Sequence, residues 1–134
     1  MSVAYRPDVL IVEDDRVLLN LLVHSLHDVD LTTDVAGDVV EAKRLLARQA
    51  YAVLVLDLVL PGGSGVDILD FIKAEKLAPM NIVVLTAAEP FLLTRIDRSL
   101  VKTIMFKPLD VAHFVASVRA LIGDERGQVP QRAR

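Results

Sequence analysis

Apolar runs and amphipathic stretches alternate five times along this chain. The strand-like runs fall at Asp8–Glu13, Leu31–Val35, Ala52–Leu56, Asn81–Thr86 and Thr103–Phe106. The stretch from Tyr51 to Leu56 is mostly apolar without alternation, which marks a strand buried on both faces. Helical periodicity lies between and after these runs. Val17, Leu18, Leu21, Leu22, Ser25 and Leu26 recur at the spacing of one helix face. A second helix over Asp38–Gln49 turns Ala42, Leu45 and Leu46 inward and opens with Asp38 and Glu41 at capping-box separation. A third, Ser64–Lys76, carries Ile68, Leu69 and Ile72, with Ser64 and Asp67 as a looser version of that cap. The last, Asp110–Ile122, carries Phe114, Val115, Val118 and Ile122, with Gly123 as its stop.

The fourth helix is the least regular. Pro90 suits a first helical position, and Phe91–Leu100 follow it. Its apolar residues Phe91, Leu92, Leu93, Ile96 and Leu100 cover more than one stripe. Either they all pack on the sheet, or some join the last strand and helix in a partner face. Strict strand–helix alternation predicts an α/β fold: a parallel sheet with right-handed crossovers and helices on both faces.

Composition narrows the class. The 134 residues suit one domain, and a hydrophobic content of 53% supplies a sizeable core. No apolar run approaches the roughly 20 residues of a membrane span. The N-terminus lacks a charged start and apolar stretch, and there are no cysteines. Disulfides, thiolate catalysis and cysteine–zinc sites are excluded, and a cytoplasmic protein is expected. Net charge is -3 and aromatics are 4%, so neither a basic face nor stacking platforms for nucleic acid are evident. The domain is expected over residues 1–123. Residues 124–134 are polar and aperiodic, a disordered tail or linker start, and Arg126, Arg132 and Arg134 read as a solubilising terminus.

The chemistry lies where the strands end. Asp57 ends an apolar run, and Glu13, Asp14 and Asp15 end another. Thr86 closes the fourth strand and Lys107, followed by Pro108, closes the fifth. In open parallel sheets the C-terminal strand edge is where ligands bind. Converging carboxylates repel one another unless a cation or protons fill the site. Glu13 and Asp14 suit Mg²⁺, Asp57 suits a nucleophile, and Lys107 and Thr86 suit phosphoryl oxygens. Singly, each has a plain structural reading: a turn or helix cap, an ordinary strand residue, a solvated charge. Together, on the right strands, they are hard to ascribe to coincidence. His24, His27 and His113 show no metal spacing and read as surface or packing residues.

With those pieces in place, the sequence resembles a receiver domain of two-component response regulators over about residues 7–123. The likeness rests on Val9 to Asp15, Val55 to Gly65, Val84 to Ala87 and Phe106 to Pro108. It implies a five-stranded doubly wound sheet of order 2-1-3-4-5. It implies Asp57 as phosphoacceptor, Asp14 as direct Mg²⁺ ligand, Glu13 acting through water, the Val59 carbonyl as a further ligand, and Thr86 and Lys107 as phosphoryl-binding residues. A cis peptide before Pro108 would aim Lys107 into the site. Gly65 matches the family glycine after the nucleophile, and simple turn geometry is its plain reading. The implied partners are a sensor histidine kinase or phosphotransfer protein, with a possible homodimer through the fourth helix, fifth strand and fifth helix. The implied catalysis is confined to the domain's own phosphorylation and dephosphorylation.

Two departures stand out. Ile104 occupies the position where the family usually carries Tyr or Phe, and it has no ring to swing. Val59 and Ala88 flank the site and cannot orient a water, which predicts slow self-dephosphorylation. A haloacid-dehalogenase-type phosphatase would need an acid at position 59, and a nucleotide-binding module would need a glycine-rich loop after the first strand. A degenerate receiver that only binds a partner is the remaining alternative.

Overall fold

The computed structural model describes residues 7–87 and 90–125. The main sheet contains β1 (Val9–Val12), β2 (Thr33–Ala36), β3 (Val53–Asp57), β6 (Asn81–Thr86) and β7 (Thr103–Phe106). Its strands are parallel and ordered β2-β1-β3-β6-β7. Between β3 and β6, β4 (Val59–Leu60) and β5 (Gly63–Ser64) form a two-stranded antiparallel hairpin. Set the hairpin aside and the order is the expected 2-1-3-4-5. Helices α1 (Arg16–His27), α2 (Val39–Arg48), α3 (Gly65–Ala74), α4 (Pro90–Leu93) and α5 (Val111–Glu125) complete the chain.

The strands separate two cores. Leu10, Val12, Leu54, Leu56, Ile82 and Val84 pack with α2 and α3. Their alternates Val9, Ile11, Val53, Val55, Val83 and Leu85 pack with α1 and α5. Every residue of β1 and β3 is buried, as continuous apolar runs require. Capping fixes the helix starts. The Asp38 side chain accepts from the Glu41 N–H, and Ser64 and Asp67 form a complete capping box.

Four expectations need correction. Helix α1 buries Leu22 and Leu26, with Leu18, Leu19 and Val23 packed beside them, whereas Val17 is 81% exposed and Leu21 46% exposed. Each residue turns the helix by about 100°, so Leu21 lies one step off the Leu22 line and Val17 one turn below Leu21. The helix carries two apolar stripes, and only one faces the sheet. Helix α4 is a single turn, with a 3-10 turn at Arg98–Leu100. The Asp97 carboxylate accepts from the Ser99 N–H and hydroxyl, and the Thr94 hydroxyl donates to the Phe91 carbonyl. Such local bonds compete with helix continuation. Ile96 is buried and Leu92, Leu93 and Leu100 pack on the core, while Phe91 stays exposed.

Helix α5 continues through Gly123, which does not take the left-handed conformation that ends helices. Strand β2 starts at Thr33 because Leu31 closes the turn after α1, its N–H donating to the Leu26 carbonyl. Arg126, Arg132 and Arg134, with the rest of the tail from residue 126, lie outside the described residues.

Candidate functional site

Parallel register places Val12 beside Leu56, and Asp57 beside Leu85. Glu13 and Asp14 therefore leave the sheet beside Asp57, the last residue of β3. Thr86 is the last residue of β6, level with Phe106 of β7. Lys107 follows directly, its N–H donating to the Thr86 carbonyl at 2.8 Å. The five expected residues thus gather at one edge of the sheet.

Asp57 and Glu13 are buried, as is Thr86. The Lys107 Nζ donates to Asp57 Oδ2 at 2.7 Å and to Glu13 Oε1 at 3.0 Å. The other oxygens are also engaged: Asp57 Oδ1 accepts from the Val59 N–H at 2.9 Å, and Glu13 Oε2 from the Asp15 N–H at 3.0 Å. Asp14 is exposed at the mouth. One carboxylate oxygen from each of Glu13, Asp14 and Asp57 lies within 4.8 Å of the others. Asp15 does not join them; it caps α1, accepting from Val17 and Leu18.

Burial pushes the Glu13 carboxyl up from its ordinary value, against the Asp15 and Lys107 hydrogen bonds that pull it down, and Asp57 adds to the rise. Burial works against the Lys107 ammonium, but its bonds to Asp57 and Glu13 outweigh this and raise its pKa. One ammonium thus offsets part of the charge of three carboxylates. The set fits a small divalent cation: Mg²⁺ takes oxygen ligands and is held by one or two carboxylates.

The surrounding loop is tightly built. A Cβ on Gly65 would sit 2.5 Å from the Asp57 carbonyl oxygen and 3.0 Å from the Leu58 Cα, and the Gly65 N–H donates to the Leu58 carbonyl. Close approach of α3 to the Asp57 loop, beyond turn geometry, therefore requires glycine there. The Lys107–Pro108 peptide is cis. Val59 is 51% exposed, and Ile104 is half-buried against the core beside Val84. Ala88 lies outside the described residues. His24 bonds the Asn20 carbonyl and His27 the Thr33 hydroxyl; His113 is exposed, and none belongs to the acidic group.

Two features escaped the sequence reading. Lys107 bridges Glu13 as well as Asp57, and the Val59 amide orients Asp57. The second had a signal: an Asp side chain commonly accepts the N–H two residues on.

Residues 9–119 match the sequence profile of the response regulator receiver domain. Response regulator protein PilR of Pseudomonas aeruginosa is 38% identical over 68 residues, which are 51% of this chain and 15% of PilR. The chain spans only that small part of PilR's length. A CheY-like receiver domain from Methanospirillum hungatei superposes with a TM-score of 0.80 at 16% identity, covering 92% of this chain and 99% of that one. The receiver domain of sensor histidine kinase PA1611 from Pseudomonas aeruginosa superposes with a TM-score of 0.77 at 22% identity, covering 89% and 99%; that structure holds a magnesium ion in its active-site cleft.

Proposed function

Because the chain belongs to the response regulator receiver domain family, we propose that it is a phosphorylation-dependent switch with Asp57 as the phosphoacceptor. The observation that carries this reading is the Lys107 ammonium held between Asp57 and Glu13 where the strands end. An Asp57 carboxylate oxygen attacks the phosphorus of a phosphohistidine on a sensor kinase or phosphotransfer protein. The phosphorus–nitrogen bond breaks, its electron pair stays with the donor imidazole, and Asp57 becomes an acyl phosphate.

Glu13, Asp14 and Asp57, with the Val59 carbonyl, would hold Mg²⁺. When bound, it supplies positive charge against the phosphoryl oxygens. Lys107 exchanges its bond to Asp57 for one to a phosphoryl oxygen, and the Thr86 hydroxyl donates to another. The Val59 N–H keeps the Asp57 side chain in place. Output is a population shift centred on Thr86, read at α4, β7 and α5. Exposed Phe91 and Phe106 on that face suit a target or a second copy of the chain. The Val59 side chain offers no polar group to position water at the acyl phosphate, so its hydrolysis is slow. The switch extends to the end of α5 at Glu125, and the chain beyond is its tail or linker.

The test is intact mass after incubation with acetyl phosphate and Mg²⁺. One added phosphoryl group, absent without Mg²⁺ and absent in Asp57→Asn, is expected. An unmodified, folded protein would favour a partner-binding module that acts without phosphorylation, a reading that Ile104 in place of a ring keeps open.

A further inference from the structure

At the end of the sheet opposite the acidic site, a crevice of about 310 Å³ opens between the end of α3, the loop leading to β6 and the turn before β7. Ile72, Leu77, Ile82 and Leu100 give it apolar walls, and Lys73, Lys76 and Ser99 are its polar groups. Clefts of this size and character hold small ligands. Two smaller cavities adjoin it. One shares Met80, Ser99 and Leu100 with it and adds Lys102; the other shares Leu77, Ala78 and Met80 and adds Arg48.

The charged side chains that line these cavities are all of one sign. The chain's formal charge is -3, yet the lining of these three cavities holds Lys73, Lys76, Lys102 and Arg48 and no carboxylate. Asp97, just outside, bonds the Lys73 Nζ at 2.9 Å, and Asp70 also faces Lys73. Among the described residues, Lys76 and Lys102 form no ion pair.

The loop is held in place at an unfavourable backbone angle. The Leu77 N–H donates to the Ile72 carbonyl and the Lys76 N–H to the Lys73 carbonyl, which close α3 in a Schellman motif. Lys76 occupies its left-handed position at φ 52°, where glycine is the residue without a steric cost. The backbone that carries Lys76 is therefore fixed beside the crevice, with the side chain exposed.

We propose that this crevice binds a small amphipathic anion, with its apolar body against Leu77, Ile82 and Leu100 and its carboxylate or phosphate beside Lys76 and Lys73. The site is separate from the acidic one and does not depend on the phosphorylation reading. Ser99 and Leu100 belong to the turn that leads into β7, so an occupant would brace that turn.

The test follows the amide spectrum of the full-length, isotope-labelled chain by NMR during titration with octanoate, and in parallel with octanol, which has the same tail without the charge. Saturable shifts confined to the region of Leu77, Met80, Ser99 and Leu100 are expected. Octanoate should bind about three- to tenfold more tightly than octanol, and that preference should vanish in the Lys73→Gln/Lys76→Gln variant. Both lysines are exposed, so the variant folds. Equal affinities, shifts that do not saturate, or shifts centred on Phe91 and Phe106 would overturn the proposal. So would co-sedimentation with anionic phospholipid vesicles without any response to octanoate, since that assigns the cations to a membrane surface instead.

Discussion

Lys107 is the residue on which the acidic site depends. It is the ammonium bonded to two buried carboxylates, and its side chain keeps 23% exposure. Replacing it with methionine leaves Glu13 and Asp57 buried without their cation. We expect a loss of about 1–3 kcal/mol, below the usual cost of breaking a fully buried pair because the mouth admits water. Chemical denaturation measures it. Added Mg²⁺ should restore part of that loss by mass action on the folded state, and a variant indifferent to Mg²⁺ would contradict the carboxylate site.

Glu13 gives a pH test of the same geometry. Its folded pKa lies above the ordinary 4.5, with burial as the main cause. The folded state therefore favours the protonated form. The associated stability is fully present below the unfolded value and is lost as pH rises through the folded one. Glu13→Gln keeps an acceptor for Lys107 but cannot lose a proton. The variant should gain melting temperature relative to the natural chain as pH rises from about 4 toward neutrality. A difference that stays constant over that range would sink this account of Glu13.

At the scale of elements, two glycines should behave oppositely. Gly65→Ala places a methyl against backbone atoms of Asp57 and Leu58, which cannot swing aside. A cost of about 1–3 kcal/mol and slower modification of Asp57 are expected. Gly123 sits in α5 with nothing within 4 Å, so Gly123→Ala should stabilise by up to about 0.5–1 kcal/mol. Thermal unfolding of the two variants separates a required glycine from an incidental one. Likewise Leu22→Ala should cost about 2–5 kcal/mol and Val17→Ala under about 0.5. Equal costs would mean that α1 faces the sheet differently.

The same elements mark what the sequence could reveal. Strands β1, β3 and β6 were legible because a strand buried on both faces leaves an unbroken apolar run. Their ends located Glu13, Asp57 and Thr86 without reference to contacts. The sheet-facing stripe of α1 was not legible, since Val17 and Leu21 are as apolar as Leu22 and Leu26, and burial depends on how the helix settles. The short α4 was hidden as well: Thr94 and Asp97 end it by side-chain bonds, which apolar spacing does not register. The Lys107–Glu13 bond joins residues 94 positions apart and needed the fold itself.

Across the whole molecule, the sheet separates two chemistries. The acidic site occupies the C-terminal strand edge and the cationic crevice the opposite end. Phe91 and Phe106 are exposed on α4 and β7 and contribute no group to the acidic cluster, so a change at either should leave Asp57 modification intact while weakening self-association or target binding. Sedimentation of the phosphorylated chain with Phe106→Ala separates the two effects; loss of modification in that variant would contradict the division. The most direct measurement of the central claim is to trap the phosphorylated protein with borohydride, which reduces an acyl phosphate to the alcohol, and to sequence its peptides by mass spectrometry. Homoserine at position 57 and aspartate at positions 14 and 15 are expected. Reduction elsewhere, or none in a protein that has gained a phosphoryl group, would contradict it.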